Sequence, residues 1–235
     1  MSRRIERVRM AAPRIASYAA EEIAAALTRA VAQRGHASLC LSGGTTPRAT
    51  YQELAKLDHV PWALVSFFFG DERCVPPDHA DSNFAMAKSA LFDHVPLSPD
   101  RVFRVRGEDP DPVASAQDYA RVLPDALDVL VLGIGEDGHT ASLFPGSEAL
   151  LEREAKARFV TGPKPPPRRI TITPPVIAAA RCIYMLASGE GKAEAVARAL
   201  EGTTTPTECP ALLARQGVWL MDHAAGGRLT GVLTP

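Results

Sequence analysis

Four cysteines in 235 residues, no surplus of basic charge and no apolar run long enough to span a membrane set the first limits on this chain. Cys40, Cys74, Cys182 and Cys209 are widely separated, form no CxxC pair and have no histidine at ligand spacing. That usage excludes a disulfide-stapled scaffold and a zinc site, and it fits a reduced, cytoplasmic protein. Lys and Arg number 26 against 27 Asp and Glu, so the formal net charge is -1. A nucleic-acid or membrane-surface partner requires a dominant basic field, which is absent, whereas a small anion needs only a few local cations. The opening Met1-Ser-Arg-Arg-Ile-Glu-Arg7 is charged, with no apolar stretch behind it to serve as a signal peptide.

What is present is an ordinary globular mixture, 46% hydrophobic and 23% charged, with ample material for a core. Pro13 to Arg34 predicts a helix: proline suits the first turn, Ile15, Ala19, Ile23, Ala26 and Ala30 form a stripe, and Gly35 stops it. The strand Ala37 to Leu41 runs into Ser42-Gly43-Gly44-Thr45-Thr46, and Pro47 opens a second helix to about Asp58. Leu64 to Phe69 is too apolar for a strand with one wet face and predicts a central one. Further helices are expected at Asn83 to Asp93, Pro112 to Leu123 and Glu190 to Glu201. Strands are expected at Arg101 to Val105, Leu127 to Leu132, Arg169 to Thr173, Arg181 to Ala187 and Val218 to Met221. The proline-rich Pro163 to Pro167 reads as a rigid loop rather than a domain boundary. This alternation predicts one α/β domain over 1–235, a mostly parallel central sheet with helices on both faces.

In such sheets ligands collect beyond the carboxyl ends of the strands, and three polar clusters fall there. The first is Ser42-Gly43-Gly44-Thr45-Thr46. Its glycines can serve a tight turn alone, or let backbone N–H groups at a helix start approach an anion, with the hydroxyls as further donors. No Lys-Ser/Thr pair closes it, so a nucleoside triphosphate is not indicated. The second is Gly70-Asp71-Glu72-Arg73, either a charged strand end or part of a site. The third, Gly133-Ile-Gly-Glu-Asp-Gly138, matches G-x-G-x-x-G, but Pro145-Gly146 cuts off the helix that a dinucleotide fingerprint requires.

Asp137-Gly138-His139 carries more information. A carboxylate beside an imidazole fixes its tautomer and stabilises its cation, as a general base needs. The other histidines lie in turns or beside charges and read as solvated or structural. Arg169 begins a strand, and Lys192 sits in the first turn of a helix, an unfavourable place for a cation unless an anion is bound there. Lys164, in the proline loop, is a weaker candidate for the same anion and reads more readily as a solvated loop lysine. No His/Cys/Asp cluster has metal spacing, so neither a metal nor a cofactor is expected.

Together these segments resemble the 6-phosphogluconolactonase members of the glucosamine-6-phosphate isomerase/6-phosphogluconolactonase family. The resemblance is carried by Leu41-Ser-Gly-Gly-Thr-Thr-Pro47, Phe69-Gly-Asp-Glu-Arg-Cys-Val-Pro76 with Asp81-Ser-Asn83, and Gly133-Ile-Gly-Glu-Asp-Gly-His-Thr-Ala-Ser-Leu-Phe-Pro145. Arg169-Ile-Thr-Ile-Thr173, Gly189-Glu-Gly-Lys192, Trp219 and Asp222 complete it, in family order over about nine-tenths of the chain. Ala178 stands where the family pattern has Asn, and Thr45 where Ser is common. The resemblance implies a Rossmann-like fold related to glucosamine-6-phosphate deaminase and a metal-free hydrolysis of 6-phospho-D-glucono-1,5-lactone. It makes His139 the general base and Asp137 its neighbouring carboxylate. Arg73, Arg169 and Lys192 become substrate-contacting cations, with Ser42, Gly43, Gly44, Thr45 and Asp71 beside them.

Lactone hydrolysis needs a base for water and a donor for the oxyanion, which Arg73 or N–H groups near Gly44 could supply. No G-x-S-x-G elbow suggests an acyl-enzyme. One rival is an isomerase or deaminase on the same scaffold, with Asp71 abstracting a carbon-bound proton. Another is a sugar-phosphate-sensing module, for which the residues before Pro13 are too few to form a DNA-binding segment.

Overall fold

The computed structural model describes residues 6–231; Met1–Ile5, within the stretch read for a leader, lie outside it. Strand β1 (Glu6–Met10) leads into helix α1 (Ala12–Arg34), which buries its Ile15, Ala19, Ile23, Ala26 and Ala30 stripe and ends at Gly35 in the left-handed region. Strand β2 (Ala37–Leu41) and helix α2 (Thr45–Leu54) follow, then β3 (Val65–Phe69), β4 (Asp71–Arg73) and α3 (Asn83–Ala90). Next come α4 (Pro112–Val122), β5 (Val129–Gly133), β6 (Ala157–Thr161) and β7 (Arg168–Ile172). Helix α5 (Pro174–Ala179), β8 (Cys182–Ala187), α6 (Ala193–Leu200) and β9 (Val218–Asp222) close the order.

Six strands form a sheet in the order β1-β9-β8-β5-β2-β3, every neighbouring pair parallel. Its centre is apolar but for Ser38, which bonds to Asp128, because β2 and the first four residues of β5 are buried and have no wet face to carry polar residues. The chain leaves β2 toward β3 on one side and β5 toward β8 on the other. The connections therefore diverge between β2 and β5, the switch point at which open α/β sheets bind ligands. Two buried tyrosines finish the neighbouring strands. Tyr51 Oη accepts from Ser42 N at 2.8 Å and donates to Ser42 O at 3.1 Å, and Tyr119 Oη pairs likewise with Phe69 N and O at 2.7 Å. The main chain can thus leave the sheet without orphaned groups.

A second, antiparallel sheet in the order β4-β7-β6 stands beside the switch point. The sequence reading placed Arg169–Thr173 as a strand, but not this partner sheet. The strand expected at Arg101–Val105 is not formed. A 3-10 turn occupies Pro99–Arg101, only Val102 bridges to Phe67, and Arg104 turns back to an ion pair with Glu108. The helix expected from Pro47 begins earlier, at Thr45, and the one expected from Glu190 starts as a 3-10 turn, Glu190–Lys192. No helix among the described residues is long and apolar enough to cross a membrane.

Candidate active site

The turn after β5 sets a histidine on a carboxylate. Gly135 N donates to His139 O at 2.8 Å and Gly138 N to Gly135 O at 3.0 Å, closing the loop on itself. Gly138 has φ 89°, and a Cβ there would fall 2.8 Å from Cys209 Sγ, so glycine is required twice over. Inside the turn, His139 Nδ1 lies 2.5 Å from Asp137 Oδ1, which also accepts from His139 N at 3.2 Å. In the neutral ring this bond places the proton on Nδ1 and leaves the Nε2 lone pair available. Burial pushes the Asp137 carboxyl up, but the hydrogen bond and charge of His139, with a smaller contribution from Lys164, outweigh it. It is held below the usual carboxylate range and stays ionised at neutral pH. Phe144 packs beside the ring, centroids 4.8 Å apart. No helix begins in this segment, which bends instead through a Thr140–Leu143 bridge.

The second sheet delivers a buried ionic cluster to the same place. Asp71 on β4 and Arg169 on β7 are each 6% exposed, and Arg169 Nη1 stands 3.8 Å from Asp71 Oδ2. Asp71 Oδ2 accepts from Ser142 Oγ at 2.6 Å, while Oδ1 accepts from Asn83 Nδ2 at 3.0 Å. Both carboxylate oxygens are therefore engaged. Arg169 donates from Nε to Pro166 O at 2.9 Å and lies over the Phe144 ring. Burial lowers its pKa, the Asp71 charge opposing it. Burial likewise pushes Glu72 up, although its oxygens accept from Asn83 N, Phe84 N, Arg73 N and Ser82 Oγ at 2.7–2.9 Å. Glu72 thus anchors the start of α3, which brings Asn83 so near that a Cβ on Gly43 would lie 2.0 Å from Asn83 Oδ1.

Lys192 arrives from the other side of the switch point, at the start of α6. Its loop is tied to β9 by Asp222, which accepts from Ser188 Oγ at 2.6 Å and Gly189 N at 2.9 Å. Burial would raise the Asp222 carboxyl, but these bonds hold it below the usual range.

A cleft of about 200 Å³ opens between β2, β5 and the second sheet. Of the residues proposed from sequence, Ser42, Gly43, Gly44, Asp71, Arg73, His139, Arg169 and Lys192 line it. Asp137 reaches it through His139 and faces a more open neighbouring cleft of about 810 Å³. Thr45 is exposed at the first position of α2 and is not among the residues lining the cleft. Lys164, the weaker candidate, is exposed and lines the cleft from the proline loop. The sequence reading missed Ser142, Thr171 and the bonds of Asn83, although Ser142 lies only three residues beyond His139. Among the described residues no group of three or more His, Cys, Asp or Glu could hold a metal ion.

A parallel sheet with a histidine–carboxylate pair and four cations at its switch point defines an α/β enzyme for a small anionic substrate. The chain belongs to the glucosamine-6-phosphate isomerases/6-phosphogluconolactonase family, whose model matches residues 11–221. It is 39% identical to the 6-phosphogluconolactonase of Streptomyces coelicolor, over 94% of this chain and 93% of that one. The structure of 6-phosphogluconolactonase from Trypanosoma brucei superposes with a TM-score of 0.84 at 29% identity, covering 97% of this chain and all of the other. A monomeric glucosamine-6-phosphate deaminase, 23% identical, shares the fold with a TM-score of 0.81 over 94% of this chain and 99% of its own.

Proposed function

We infer that the chain hydrolyses 6-phospho-D-glucono-1,5-lactone to 6-phospho-D-gluconate, a step of the oxidative pentose phosphate pathway. The observation that carries this reading is the Nδ1–Asp137 bond of His139, which frees Nε2 for a water in a cleft lined by Arg73, Lys164, Arg169 and Lys192. His139 takes a proton from that water as its oxygen attacks the lactone carbonyl carbon. The ionised Asp137 stabilises the imidazolium. His139 then returns the proton to the ring oxygen as the carbon–oxygen bond breaks. The cations and the Ser42–Gly44 turn, at the start of α2, receive the phosphate. The chemistry moves only protons and an acyl bond, so no cofactor is assigned. The 235 residues act as one catalytic domain in the cytoplasm, without a nucleic-acid or membrane partner.

Isomerisation or deamination on this scaffold is not favoured. Asp71, the base that route would use, has its oxygens committed to Asn83, Ser142 and Arg169. Parallel assays separate the readings: acid release from the phosphorylated lactone is expected, with no ammonia or ketose from glucosamine 6-phosphate. Ammonia or ketose formation at the faster rate would overturn the assignment.

The cations make a further expectation. Lys192→Met should raise KM for the phosphorylated lactone about tenfold or more, the loss of one charged hydrogen bond. The effect on an unphosphorylated lactone should be much smaller. Arg169→Met should act in the same direction but also leave Asp71 without its cation, so Lys192 gives the cleaner reading. Equal losses on both substrates would show that these cations do not read the phosphate.

A further inference from the structure

We propose that the backbone N–H of Ala141 holds the oxyanion of the tetrahedral intermediate, a role that rests on the lactonase reading. Ala141 is the one non-glycine residue with positive φ among the described residues, at 48°. That region is disfavoured for a residue with a Cβ and persists only where the surroundings impose it. Here both neighbours are fastened. Thr140 Oγ1 donates to Gly133 O at 2.9 Å, and Thr140 O accepts from Leu143 N at 2.9 Å. Ser142 donates from Oγ to Asp71 Oδ2 at 2.6 Å and from N to Thr171 Oγ1 at 3.1 Å. Three strands, β5, β4 and β7, thus hold one turn around a strained alanine.

Ala141 packs against the edge of the core but is only partly buried, and its remaining surface lines the cleft. Its N–H has no acceptor among the described residues, although those of Ser142 and Leu143 do. Ala141 lies two residues from His139 on the same turn, and both residues line the cleft. Of the competing donors, Arg73 gives Nη1 to Asp81 O at 2.6 Å but keeps a buried Nε without a partner among the described residues, so Arg73 is the rival that the test must separate; the N–H groups beside Gly44 form a helix start suited to a phosphate. In the addition step the water oxygen bonds to the lactone carbon and its proton goes to Nε2. The carbonyl π electrons move to the oxygen that Ala141 N–H then binds. In collapse those electrons re-form the carbonyl, the carbon–ring oxygen bond breaks, and Nε2 protonates the departing oxygen.

The test replaces Ala141 by its α-hydroxy analogue, L-lactic acid, which turns the amide into an ester and deletes only the N–H. The expected result is a fall in kcat of about 10²–10³-fold, the cost of one oxyanion donor, with KM and 6-phosphogluconate affinity within a few-fold. Ala141→Gly, which keeps the donor and relieves the positive φ, should lose less. A folded ester protein with kcat within about threefold of the parent overturns the assignment. If the ester destabilises the fold, the amide resonance of Ala141 in the unmodified enzyme decides. It should move downfield with a cyclic phosphonate carrying the 6-phosphate and not with the product, and an unmoved resonance sinks the proposal. A parent enzyme without lactonase activity would instead remove the reading on which the proposal rests.

Discussion

His139→Ala should lower kcat by about 10²–10⁴-fold while KM stays within a few-fold, because a general base is used in the transition state and hardly at all in binding. The geometry explains the split. His139 meets the water through Nε2, whereas the phosphate is received by cations on other elements. Asp137→Asn should be less damaging. It leaves the ring in place but removes the charge that stabilises the imidazolium and the acceptor that fixes the tautomer. Thermal unfolding measured beside the kinetics separates lost chemistry from lost fold. A folded His139→Ala protein with near-normal kcat would show that the histidine is structural.

Gly135→Ala should cost nearly as much, although the residue has no side chain to offer. A Cβ at this position would fall 2.0 Å from His139 Nδ1 and 2.5 Å from Asp137 Oδ1, well inside any permitted contact. The imidazole, the carboxylate or the turn must shift by more than an ångström, and misplacement on that scale costs about 10²-fold in rate. Gly70→Ala makes the comparison, since its Cβ would meet nothing closer than Leu41 O at 3.6 Å. The expected pattern is a large loss of kcat at 135 and little change at 70. Comparable rates in both variants would mean that the His139–Asp137 contact does not limit turnover.

The parts of this molecule that could be read from sequence are those in which function and neighbourhood coincide. Asp137 and His139 are two residues apart, and β2, β3 and β5 are apolar runs, broken only by Ser38 and Ser66, that end in polar clusters. The second sheet left no such trace. Strand β4 has three residues, and β7 pairs with it across about a hundred positions, so local pattern cannot announce the pairing. Strand β1 escaped for another reason. As the sheet's edge it alternates charged and apolar residues in Glu6–Met10, which reads as a polar N-terminus until β9 is placed beside it. Ser142 and Asn83 are ordinary polar residues in the sequence. They acquire a role only when folding brings Asp71, 71 and 12 positions away, to their side chains. Thr45 shows the reverse: it belongs to the glycine turn in sequence, but it opens helix α2 and is not among the residues lining the cleft.

The measurement that bears most directly on the account is the hydrolysis of 6-phospho-D-glucono-1,5-lactone by the purified protein, followed against the spontaneous rate in a strong chelator. No cluster of His, Cys, Asp or Glu among the described residues could hold a metal, and water activation is assigned to His139 alone. The expected result is rapid turnover that chelation leaves unchanged. A rate equal to the spontaneous background, or one lost in chelator and restored by a divalent cation, would contradict it.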